Sequence, residues 1–232
     1  MPEFSFSYQD ISSKAYGIYV EKRPEMPGRT QNAEYEEVAG RDETLVLPDT
    51  TLDDVEIELE CSFKAQPDQW NQRVRRIRSW LKDSGRLTFS DAADSFWKVK
   101  SITIDSFERP LRSHGIFQVV FLCSPFEYFK DGTREHSIEE VLYNPYAMCR
   151  PIYAITGEGM CTLAVNGKEM TANVGQNLTI NTDLMLAYRQ DGTMMNTSVS
   201  GDYEDLYLWP GENQIDITEG FGLKIIPNWR CL

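Results

Sequence analysis

Leu163-Ala164-Val165-Asn166-Gly167, Leu178-Thr179-Ile180-Asn181-Thr182-Asp183, Leu208-Trp209-Pro210-Gly211-Glu212-Asn213-Gln214-Ile215 and the final Ile225-Ile226-Pro227-Asn228-Trp229-Arg230-Cys231-Leu232 are the stretches whose reading decides the fold. Each is a short apolar run closed by a turn former. Asn-Gly supplies the positive φ that a two-residue hairpin needs, and Pro-Gly marks a second kind of reversal. From Pro151 onward the chain therefore reads as short strands spaced by turns, the pattern of a β-sandwich, with Leu223–Pro227 as its terminal strand.

The half that precedes it alternates strands with one helix. Asp54 to Phe63 places Val55, Ile57, Leu59, Cys61 and Phe63 on one face and acids on the other, the period of a half-buried strand. Residues 97–104 and 115–123 read the same way, the second more fully buried. Between these strands Trp70, Val74, Ile77 and Leu81 recur at i, i+4, i+7 and i+11, a single apolar helical stripe. Pro67 fits its first turn, Asp68 adds early negative charge, and Gly85 is placed to end it. Strand character on both sides of Gly40-Arg41-Asp42-Glu43 predicts a projecting hairpin over Tyr35 to Leu47. A polar stretch beginning at Lys130-Asp131-Gly132 reads as a connector. The expected organisation is thus one domain over residues 1–130, a linker over 131–150 and a sandwich over 151–232.

Composition bounds what such a chain does. At 232 residues it has room for one large or two small domains at roughly 100 to 200 residues each. Its 36 acidic and 23 basic residues give −13 at pH 7, which argues against a specific reader of nucleic acid. Aromatic content of 12% argues for a packed chain over disorder. No stretch approaches the ~18 apolar residues that would span a bilayer, and the first residues lack a secretory signal, so a soluble chain made in a cytosol is expected. Cys61, Cys123, Cys149, Cys161 and Cys231 form no CxxC pair and are odd in number, against a disulfide framework or zinc ribbon. His114 and His136 stand beside Gly115 and Ser137 and read as solvated loop residues.

No catalytic constellation emerges. Among 36 carboxylates any glycosidase pair can be drawn, and surface acids are the plain reading. Lectin-type binding needs His, Asn, Arg and a stacking Trp on one face, yet neither Trp209, before its Pro-Gly turn, nor Trp229, in the terminal strand, lies beside a histidine. The basic helix is the outlier of an acidic chain. Arg73, Arg75, Arg76, Arg78 and Lys82 read either as a solvated face or as a subunit contact facing acids such as Glu34, Glu36 and Glu37 of a neighbour's hairpin.

Taken in order, these features resemble the distal tail proteins of siphophages. The resemblance spans nearly the whole chain: Gly40-Arg41-Asp42, with Glu43 where the family often has glycine, then Ile77-Arg78-Ser79-Trp80-Leu81, Gly85 to Asp91, Phe121 to Phe126, and the turn-spaced strands of the last third. It implies a mainly β fold with one helix. The first domain would be a tail-tube-like β-sandwich or split barrel with a projecting hairpin, and the second a galectin-like β-sandwich. It also implies a homohexameric ring hub in the virion at the tip of a long non-contractile tail, synthesised in the host bacterial cytoplasm. Its partners would be the tail tube protein, a tail-associated lysin or tail fibre protein, and receptor-binding or baseplate proteins. DNA would pass through the channel without specific binding, and no membrane, cofactor, metal or catalytic residue is implied. The expected subunit interface comprises Arg73, Arg75, Arg76, Arg78, Gly40, Arg41 and Asp42. The alternative is a carbohydrate-binding module that attaches the tail tip to host cell-wall saccharide.

Overall fold

The computed structural model describes residues 4–26, 28, 31–36, 40, 42–138 and 143–232. The chain divides into two compact units, Met1–Glu127 and Tyr128–Leu232, each with its own apolar core.

The first unit contains β1 (Phe6–Tyr8), β2 (Ile11–Ser12), β3 (Ile18–Val20), β4 (Gln31–Glu36), β5 (Leu45–Leu52), β6 (Val55–Lys64), α1 (Trp70–Trp80), β7 (Gly85–Phe89), β8 (Ala92–Ile104), β9 (Glu108–Leu111) and β10 (His114–Phe129), whose last two residues fall in the second unit. The main sheet runs β2-β1-β7-β8-β10-β6-β3, with β9 on β10. The period-two reading of β6 holds. Val55, Ile57, Leu59, Cys61 and Phe63 are buried while Glu56, Glu58 and Glu60 are exposed. Its pairing with β10 runs unbroken from His114↔Lys64 to Cys123↔Val55, so the apolar sides of both strands share one face. The expected hairpin is present as β4 and β5, which form a two-stranded sheet of their own.

The helix packs on that apolar face. Val74, Ile77, Trp80 and Leu81 join the same core as Cys61, Phe63, Leu87 and Phe117. Trp80 is clamped by Tyr16, stacked at 4.4 Å, and by Phe6 at 5.6 Å. Two helix boundaries differ from the sequence reading. Pro67 lies ahead of α1 in a turn closed by Gln69 N–H to the Gln66 carbonyl at 3.0 Å. Gly85 opens β7 instead of ending α1, which ends at Trp80 with Leu81 as its C-cap. The left-handed residue after the helix is Asp83, at φ 62°, and the Tyr8 hydroxyl donates to its carbonyl at 2.7 Å. Glycine at 85 has a packing cause: a Cβ there would stand 2.7 Å from the Tyr8 hydroxyl oxygen.

The second unit contains β11 (Tyr143–Asn144), β12 (Ile152–Val165), β13 (Lys168–Asn181), β14 (Leu186–Tyr188), β15 (Val199–Ser200), β16 (Gly211–Glu212), β17 (Ile215–Ile217), β18 (Gly222–Ile226) and β19 (Arg230–Cys231). Its main sheet is built on one long hairpin. β12 and β13 pair residue for residue from Ile152↔Asn181 to Val165↔Lys168, far longer than the short strands that the turn spacing suggests. Asn166 and Gly167 close it at φ 52° and 79°, the two positive values a two-residue turn demands. The terminal strand is also present, as β18 pairs with β12 from Ile152↔Ile226 to Thr156↔Gly222.

Residues 131–138 and 143–150, polar by composition, are knit into this unit. Asn144 and Cys149 are buried, the Asn144 amide donates to the Ala147 carbonyl at 3.0 Å, and Cys149 bridges Leu208. His136 is not a solvated loop residue. It is buried, bridges Ile225 in strand fashion, and its Nε2 lies 2.9 Å from the Asp131 carbonyl oxygen. His114 opens β10. His114 thus sits at a strand end, half-buried, and His136 in an isolated bridge, so neither is a solvated loop residue.

Candidate functional site

The residues singled out in the sequence fall in two places. Arg73, Arg75, Arg76 and Arg78 lie together on α1, because the apolar positions Val74, Ile77 and Trp80 turn the remaining positions away from the core. Arg75, Arg76 and Arg78 are exposed and Arg73 is half-buried. Gly40 and Asp42 are exposed in the turn between β4 and β5, and Arg41 lies outside the described residues. No hydrogen bond or ion pair among the described residues joins the two sets.

The arginines are held without acids. Among the described residues none of the four has an ion-pair partner. Arg76 sits over the Tyr16 ring at 5.9 Å and Arg78 over Phe107 at 5.1 Å, while Arg109 covers Trp70 at 4.6 Å. Such contacts fix guanidinium planes while leaving their charge uncompensated. The Arg73 Nε is buried with no hydrogen-bond acceptor among the described residues. Its terminal nitrogen occupies the space a side chain at residue 17 would need, so Gly17, at φ 56°, is required there for two reasons. Beside the helix start, Lys64, Gln66, Gln69, Gln72, Arg73 and Arg76 line a groove of about 480 Å³ with no carboxylate among its described residues.

The residues that sequence reasoning passed over lie on β6. Glu56, Glu58 and Glu60 form an exposed row with no ion-pair partner among the described residues, and they line a groove of about 360 Å³. The cations on its rim are engaged: Lys22 pairs with Glu25 at 3.2 Å and Arg23 with Asp91 at 2.8 Å. The alternation of β6 shows these acids on the solvent side in the sequence, but nothing in that pattern marks them as a contact surface.

These two faces carry opposite charge and lie on opposite sides of the unit. The side of β6 that faces the α1 core is the Val55-to-Phe63 side, so the glutamates leave the sheet in the other direction. The arrangement suits association, since exposed, unneutralised rows of charge favour a complementary surface.

Residues 10–123 match the family described as phage tail protein RIFT-related domain. That match lies wholly within the first unit and takes in 114 of the 232 residues. The fold agrees across both units. A crystal structure of the Dit protein of phage SPP1, described as a paradigm of the hub adsorption apparatus in phages infecting Gram-positive bacteria, superposes with a TM-score of 0.70, covering 96% of this chain and 97% of that one at 12% identity. Among proteins with curated descriptions, none matches the sequence.

Among the described residues no group of three or more His, Cys, Asp and Glu side chains is placed to hold a metal ion. No described helix is long and apolar enough to cross a membrane. In the second unit Trp229 is enclosed in the core, while Trp209 stands exposed. Burial pushes the Cys61 and Cys123 thiols up to about 12 and Cys149 to about 11, which leaves them poor nucleophiles.

Proposed function

We propose that this protein is the distal-tail hub of a long non-contractile phage tail. It is a homohexameric ring at the tail tip that joins the tail tube to the baseplate or host-adhesion device and lets DNA pass. Tail tube protein, a lysin or fibre protein, and receptor-binding proteins are its neighbours in the virion. The observation that carries this reading is the agreement in fold with a hub protein over both units, together with the match of residues 10–123 to a phage tail family. Two charged faces on opposite sides of that unit support a ring, because each copy offers a different surface to each neighbour. The acidic balance supports passage of DNA without adhesion, like charges repelling within a Debye length of ~8 Å.

Native mass spectrometry of the purified full chain tests the ring. A closed hexamer is expected, and a chain that stays monomeric at high micromolar concentration overturns it. A second reading, attachment to cell-wall saccharide, is favoured by one observation, the exposed Trp209. Calorimetric titration of the chain with cell-wall saccharide separates the two, since saccharide binding lost in Trp209→Ala belongs to that reading alone.

A further inference from the structure

We infer that the β6 row of Glu56, Glu58 and Glu60 on one copy docks on the α1 face of Arg75, Arg78 and Lys82 on the next. This assigns residues to the subunit contact and rests on the ring reading above. It also moves the acidic partner from the hairpin expected in the sequence to the main sheet.

Three observations carry it. The first is charge: three exposed carboxylates without ion-pair partners among the described residues face outward in a row, and the helix presents cations in the same condition. Lys82, just past the helix end, makes only a 3.9 Å contact with Asp83. The second is length. Glu56 to Glu60 spans about 13 Å at ~3.3 Å per strand residue, and Arg75 to the helix end at Trp80 spans about 8 Å at ~1.5 Å per helical residue, with Lys82 two residues beyond it. Rows of similar length allow one carboxylate per cation. The third is direction. The two rows leave the unit on opposite sides, so they cannot neutralise each other within one copy, nor can both do so across a two-fold axis. A head-to-tail contact satisfies both, and when the rotation closes it yields a ring.

The test uses the full-length chain. One variant, R75E/R78E, makes both faces acidic, and a second, E58K/E60K, makes both faces basic. All four positions are exposed, so both variants should melt like the parent by circular dichroism. Should R75E/R78E fail to fold, R75E/K82E replaces it.

Each variant alone is expected to associate at least about tenfold more weakly than the parent, because like charges then face each other across every contact. Mixed in equal amounts, the two are expected to assemble, with native mass spectrometry showing equal numbers of each copy, since an acidic helix then meets a basic strand row. Parent-like assembly by either variant alone, with the parent ring intact, overturns this contact and leaves the ring reading standing. A mixture that stays unassembled overturns it likewise. A parent chain that never assembles removes the ring reading and this contact together.

Discussion

At the scale of single residues, the cysteines behave as small apolar side chains. None of the five is in a disulfide, and Cys61 and Cys123 are wholly enclosed. Adding reductant is therefore expected to leave the melting temperature unchanged. Their ionisation gives a second prediction, on pH. Burial comes first in raising Cys61 to about 12, with Glu21 adding to it, and burial again in raising Cys123 to about 12, with Asp54 adding. The folded state thus holds its thiol protons above the ~8.5 of an unfolded cysteine. Stability from this source is intact below that pH and falls between about pH 9 and 12, each thiol contributing up to ~1.4 kcal/mol per pH unit. Urea denaturation at pH 8 and pH 10 should show the drop, and Cys61→Ala should make it shallower. An equal drop in the variant would mean that other groups govern alkaline unfolding. Gly115 supplies a sharper case. A Cβ there would come within 2.4 Å of the Phe63 ring and 2.5 Å of Trp70. Gly115→Ala is expected to cost about 1–3 kcal/mol by overpacking, measured as a lower denaturation midpoint with an unchanged slope.

At the scale of elements, Ile77 and Gly167 test the helix and the long hairpin. Ile77 is wholly enclosed among core residues, so Ile77→Ala is expected to lose about 2–5 kcal/mol. Gly167→Val forces a β-branched residue to φ 79° at the closing turn of β12 and β13, costing about 1–2 kcal/mol in the second unit. These are also the elements that the sequence made most legible. The β6 alternation, the α1 stripe and the Asn166-Gly167 turn each express a local rule: period two, period 3.6, or positive φ. What escaped were features that tertiary contacts decide. Gly85 looks like a helix stop, yet the glycine is required by the Tyr8 ring across the sheet. His136 and Asn144 look like loop residues, yet each is enclosed by bonds to Ile225 or to Ala147 and Leu208, partners up to 89 positions away. The candidate site was half legible for a related reason. A basic helix in an acidic chain stands out by composition, whereas three glutamates in an acidic chain do not, and only the sheet aligns them.

For the whole molecule, the decisive question is where the chain can be cut. Each unit holds a separate apolar core, which predicts that residues 1–127 and 128–232 each unfold cooperatively on their own. The second cut must keep the segment that composition marks as a linker. Phe129 stacks on Tyr146 at 4.2 Å and its N–H donates to the Trp229 carbonyl at 2.9 Å, and the Asn144 side chain donates to the Leu208 carbonyl at 3.3 Å. A chain of residues 149–232 loses all three and leaves Trp229 and Leu208 partly uncovered, so it is expected to lack a cooperative thermal transition while 128–232 retains one. Equal melting curves for the two would mean that residues 128–148 only decorate the second core. Removing residues 225–232 strips the pairing of Ile225 and Ile226 with Tyr153 and Ile152 and opens the edge of β12, so aggregation is expected in place of tolerated trimming. The same division bears on assembly. Residues 1–127 contain both charged rows, and 128–232 contain neither, so the first piece is expected to associate as the full chain does and the second to stay monomeric by light scattering. Association of the first piece should weaken from 50 to 500 mM salt, because screening acts on exposed charge. If only the full chain assembles, the contacts that close the ring lie in the second unit, and the rows on α1 and β6 are solvated faces.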